Sequence, residues 1–201
     1  MIDAIPDGIW PPREVFYLES VLHCTSAALR AAEEVRDALE TGSKCSPSSR
    51  EWHDCALTIV NGVQTVAAQG AAISRYFWPA RAKEPHLSRA ARLRTGLGIL
   101  ENSPLRDREL RNRLEHFDEN LDEFCQQLVA GVMVPTYVGP LDAESEVPTH
   151  LFRAYYTDVA VMEILGHRFQ VQPVLDEIQM LHERLLRCAE AGGRIPSSWR
   201  E

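Results

Sequence analysis

The chain has 201 residues, 45% of them hydrophobic and 25% charged, an ordinary globular composition with length enough to bury a core. No apolar run approaches the roughly 18 residues that a membrane span requires, and the opening MIDAIPDGIWPPREV has neither the basic nor the apolar region of a signal peptide. A net charge of −8 argues against indiscriminate polyanion binding, and five scattered cysteines without a CxxC pair predict a reduced, cytoplasmic protein.

Residues 1–13 read as an irregular lead, because Pro6, Pro11 and Pro12 oppose regular structure. Leu18, Leu22, Leu29, Ala32, Val35 and Leu39 keep a helical period over about 14–40, and Gly42 can end that helix. After the GSKCSPSS loop, Ser48 and Glu51 make a capping-box pattern for a second long helix. It runs to about Trp78, with Leu57, Val60, Ala67, Ile73 and Phe77 inward and Pro79 as its stop. Ser88 can cap a shorter basic helix ending near Leu100, which Gly96 and Gly98 weaken by about 1 kcal/mol each relative to alanine.

Ser103 and Pro104 then open a helix predicted to run unbroken to about residue 130. Its apolar stripe is Leu110, Leu114, Phe117, Leu121, Phe124 and Leu128, and its polar side carries Arg111, Asn112, Glu115 and His116. Beyond Gly131 the pattern changes. Segments 151–156, 159–165 and 168–171 are short, rich in β-branched and aromatic residues and separated by turns, as in a small antiparallel meander. Pro173 can open a last helix through Val174, Ile178, Leu181 and Leu185, ended by Gly192 and Gly193.

The predicted fold is therefore mainly α, an up-and-down helical bundle of four to five helices with a small antiparallel β meander near the C-terminus. Its parts are the lead 1–13, the bundle 14–131, a loop and meander appendage 132–171, and a C-terminal helix and tail 172–201 that packs on the same domain.

Charge is unevenly spread. Residues 75–116 hold ten Arg or Lys against five Asp or Glu, so this fifth of the chain carries +5 and the remainder −13. Arg89, Arg92, Arg94, Arg108 and Arg113 in this zone are candidates to hold RNA, with a solvated helix surface as the plain alternative.

Few residues here suit other chemistry. Cys45, His53 and Cys55 lack a fourth metal ligand, and Glu115, His116 and Glu119 lie on one helix, which supplies too few, so no metal and no cofactor are expected. Cys24, Cys125 and Cys188 fall on or near apolar faces and read as core. GLG at 96–98 lacks the lysine and the preceding strand of a phosphate loop. What remains is Arg111 with His116. An imidazole titrates near neutrality and can take or give the proton of a ribose hydroxyl, while a guanidinium fork can hold the phosphate and neutralise charge growing on it. Asn112 can position either one.

Arg111-Asn112 followed by His116 on a late helix of a helical bundle resembles the signature of the HEPN superfamily, Arg, four to six residues, then His, with a polar residue after the Arg. The resemblance implies a metal-independent ribonuclease of the kind found in toxin–antitoxin, CRISPR and phage-defence systems. It also implies a homodimer in which two copies of the motif form one composite site. Asp118 stands where HEPN toxins often carry tyrosine. Arg81 and His86 share the spacing, in a proline-containing connection without the neighbouring Asn.

On a straight helix Arg111 and His116 stand roughly 140° apart, so a long side chain, a distortion or a second subunit must bring them together. The expected activity is transesterification by the RNA 2′-hydroxyl, with Arg111 and His116 catalytic and Asn112 supporting. Two alternatives are a bundle that binds RNA, nucleotide or a protein partner without turnover, and a structural subunit. In an inert helix Arg111 would simply pair with Glu115.

Overall fold

The computed structural model describes residues 8–127, 130–141 and 147–196, and within 108–115 the side chains of Arg108, Leu110, Arg111 and Glu115 lie outside that description. The structure is mostly helical, with a small sheet near the C-terminus.

The two longest helices form its spine. In α1 (Glu14–Gly42) Leu18, Val21, Thr25, Ala28, Ala31, Val35 and Ala38 are buried at three- and four-residue steps, one stripe of mostly small side chains. α2 (Arg50–Phe77) buries a much wider surface, because it packs on α1 and on everything added later. The two run antiparallel and close together: a Cβ on Gly62 would stand 2.4 Å from Val35 Cγ2, and one on Gly42 would stand 2.8 Å from the Trp52 ring. The cap of α2 is Ser49, whose hydroxyl accepts from the Trp52 N–H at 3.1 Å, one residue beyond the predicted Ser48.

α2 is also long and apolar enough, by length and composition alone, to cross a membrane, contrary to the sequence reading. Its most apolar window has a mean hydropathy of only 1.2 and is 56% buried within the protein, as befits a core helix.

α3 (His86–Leu97) begins at Pro85 without a side-chain cap; Ser88, predicted to cap it, instead bonds the Glu84 carboxylate. Gly98 ends it in the left-handed region at φ 65°. There Arg184 of the last helix, α6 (Gln172–Glu190), donates to the carbonyls of Leu97 at 2.6 Å and Gly98 at 3.0 Å, satisfying acceptors that a helix end leaves open.

The expected unbroken helix over 104–130 is a short 3-10 turn, Pro104–Arg106, followed by α4 (Arg108–Glu115) and α5 (Phe117–Gln127). The sheet is mixed, where an all-antiparallel meander was expected. β2 (Thr149–Tyr156), β3 (Val161–Ile164) and β4 (His167–Gln170) are successively antiparallel, and β1 (Val132–Gly139) joins parallel to β2. β1 escaped the sequence reading because Pro135 interrupts it. An edge strand tolerates proline, whose missing N–H costs no ladder bond on the open side.

Two buried clusters share the spine. One gathers the first half of α1, the end of α2, α3 and α6 around Phe77, Leu93, Leu97, Ile178 and Leu181. The other joins the far halves of α1 and α2 to Met162, Ile164 and Phe169 of the sheet, with Leu114, Phe117, Leu121 and Phe124 of α4 and α5 packed on it.

Candidate functional site

His116 sits at the break between α4 and α5. Asp107 caps α4, its carboxylate accepting from the Glu109 N–H at 2.7 Å. Nine residues after that cap the backbone leaves helical geometry at His116, φ −113° and ψ 42°, while its N–H still donates to the Asn112 carbonyl at 3.0 Å. Asn120 holds the interruption together. Its side-chain amide donates to the carbonyls of His116 at 2.6 Å and Arg113 at 3.3 Å, and its carbonyl accepts from Arg113 at 3.4 Å. A side chain inserted into the main-chain ladder is a recognised cause of a sharp helix bend.

The His116 imidazole is exposed, with Nδ1 3.5 Å from a Glu119 carboxylate oxygen. Asn112 is exposed one turn earlier. Arg111 belongs to α4 by its backbone, and its side chain lies outside the described residues, as does that of Arg108. Arg113 is half-buried, its Nε 3.7 Å from a Glu109 oxygen that also lies 3.7 Å from His167 Nδ1 on β4. The strand hairpin thus backs the α4 arm.

Arg89, Arg92 and Arg94 of the basic zone turn inward. Arg92 donates twice to Glu14, at 2.7 and 3.1 Å, and Arg194 and the Ile195 N–H donate to the other oxygen of the same carboxylate at 3.1 Å each. Burial raises the pKa of the Glu14 carboxyl, but these bonds together outweigh it and hold the group below the usual carboxylate range. Arg94 donates to the Phe77 carbonyl and meets Glu101 at 3.2 Å. Arg89 donates to the Arg75 carbonyl at 3.1 Å and lies over the rings of Tyr17 and Tyr76. Arg89, Arg92 and Arg94 therefore fasten α3 to the spine and do not gather with Arg113 on one surface.

Beside the helix break is a residue that the sequence reading passed over. Arg153 of β2 has its guanidinium carbon 4.7 Å from the ring centre of Phe152 and 5.5 Å from that of Phe117, the first residue of α5. The two rings meet edge to face at 5.9 Å. Arg153 Nε is buried with no acceptor, and among the described residues nothing forms a hydrogen bond or ion pair with this side chain. Burial alone lowers its pKa from the ordinary arginine value. The available signal was a charge at an alternating position of the strand THLFRAYY.

A groove of about 560 Å³ opens between α1, α6 and the sheet. Leu29, Val35, Val66 and Leu175 give it an apolar floor, and Arg36, Tyr155, His182 and Glu183 stand among its polar lining. His182 Nδ1 lies 2.9 Å from the Thr25 hydroxyl.

Among the described residues no three His, Cys, Asp or Glu side chains gather as a metal site. No family model, curated protein or solved structure matches this chain.

Proposed function

We propose that this protein is a HEPN-like, metal-independent endoribonuclease working as a homodimer, with α1, α2, α6 and the α4–α5 arm as the up-and-down bundle of that type. The supporting observation is the interruption of the helix at His116. It frees the imidazole from the straight-helix relation that would hold it about 140° from Arg111, and leaves it exposed at the break between α4 and α5.

In this reading His116 of one copy takes the proton of the ribose 2′-hydroxyl, and the same residue of the second copy protonates the departing 5′-oxygen. Arg111 neutralises the phosphorane and Asn112 positions the strand. Glu119 is placed to orient the ring. The products are a 2′,3′-cyclic phosphate end and a free 5′-hydroxyl.

Purified protein should cut single-stranded RNA in EDTA, and His116→Ala should slow cleavage by at least about 100-fold, the lower range for a lost general acid or base. Full activity in that variant, or activity only with added metal, overturns the reading. One observation favours the rival, a bundle that binds a partner without turnover: the groove between α1, α6 and the sheet. Under that reading wild-type protein leaves RNA intact in EDTA.

A further inference from the structure

We infer that Arg153, set against the rings of both Phe117 and Phe152, holds a phosphate of the RNA strand on which His116 acts; the inference rests on the ribonuclease reading for the identity of that phosphate.

The other packed arginines of this chain each find an acceptor within it. Arg92 and Arg194 share Glu14, Arg168 donates to Glu163 at 2.7 Å, and Arg184 closes the end of α3. Each has a carboxylate or carbonyl. Among the described residues Arg153 meets only ring faces. Carboxylates stand close in the chain: Asp118 and Glu119 directly follow Phe117, and Glu163 lies on the adjacent strand. Yet Glu163 is taken by Arg168 and the Tyr156 hydroxyl, and neither Asp118 nor Glu119 pairs with Arg153. In a protein of net charge −8, an arginine that pairs with no carboxylate among the described residues is a place for an external anion.

The clamp also prepares the group for that role. Contact with the two rings holds the guanidinium in place and buries Nε, which leaves the terminal nitrogens to meet an anion. A pre-set planar fork is the arrangement that takes two oxygens of a phosphate at once, and burial strengthens the contact. Position completes the argument. Phe117 follows His116 directly, so the clamp is built on the residue next to the proposed acid–base group. Arg153 would therefore bind a phosphodiester of the bound strand and need not touch the reacting atoms.

The test uses the full chain and a 2′-O-methyl RNA oligonucleotide, which can bind but cannot be cut. Binding should shift the Arg153 Nε–Hε NMR signal of wild-type protein. Arg153→Gln and Arg153→Lys should each weaken binding by about tenfold or more, since neither presents the fork. No binding by wild type, or an Arg153 signal unmoved at saturation, overturns the proposal, and the signal decides the matter even if a variant fails to fold. Wild-type affinity in a folded Arg153→Gln overturns it as well. The two readings fail separately. Binding through Arg153 without any cleavage of unmodified RNA in EDTA sinks the ribonuclease and leaves the site. Normal cleavage and binding by Arg153→Gln sinks the site and leaves the ribonuclease.

Discussion

Glu14 shows how much a single side chain can carry. It is 1% exposed at the start of α1, and its two oxygens receive α3 through Arg92 and the C-terminal segment through Arg194 and the Ile195 N–H. Removing one partner of a buried pair costs about 3–5 kcal/mol, and the partial exposure of both arginines places Glu14→Gln near 3 kcal/mol. For a chain of this size that is a fall in Tm on the order of 10 °C, measurable by calorimetry at pH 7. The pH dependence follows from the sign of the shift. The folded carboxyl sits below its unfolded value, so its stabilisation is complete above the ordinary carboxylate range and is lost as pH falls through the folded pKa. Wild-type Tm should therefore converge on that of Glu14→Gln in acid; a constant gap down to pH 2 would contradict the assignment.

Tyr156 has the opposite sign. Burial and its bond to Glu163 push the phenol up to about 12, so this contact is intact throughout the neutral range. Arg153 is the exception among these polar groups. An unmet buried donor costs about 1–3 kcal/mol, and its two ring contacts recover about 0.5–2 kcal/mol each, so the arrangement is close to neutral for stability.

At the scale of elements, the α1–α2 pair depends on close approach. A methyl group at Gly62 would lie 2.4 Å from Val35 Cγ2 and 3.1 Å from the Ala31 carbonyl, and a valine on a helix has one strongly preferred rotamer. Gly62→Ala gains about 1 kcal/mol of helix propensity but overpacks a contact worth about 1–3 kcal/mol. We expect net destabilisation in wild type, and a neutral or stabilising effect when Val35→Ala has cleared the space. Equal effects in both backgrounds, by denaturant titration, would show that the contact is not limiting. The α4–α5 arm teaches a different lesson. Its apolar period runs through the break without a gap, because Leu114, Phe117, Leu121 and Phe124 all reach the same cluster. Periodicity reports which side is buried. It is silent on whether the backbone between two buried residues stays hydrogen-bonded, which here is settled by the Asn120 amide and the docking of Phe117 on Phe152.

For the molecule as a whole, the proposed composite site requires two copies. Light scattering at micromolar concentration should give about twice the 22.7 kDa chain mass. A clean monomer that still cuts RNA would show that one His116 suffices. The existence of α1, α2, α3 and α6 was legible in the sequence, as were the strand segments after residue 148, because each buries a stripe of residues at a spacing its own backbone sets. The end of α1 and the cap of α2 shifted by only one or two residues, and the start of α3 by three. The local excess of positive charge over 75–116 was also legible, but its meaning was not. Whether Arg92 meets water or Glu14 depends on residues 78 positions apart, and whether Arg153 finds an anion depends on which rings close around it. Local spacing is a property of neighbouring residues, and the chain determined it alone. The fate of a charge depends on what is folded against it, and only the tertiary structure decided that.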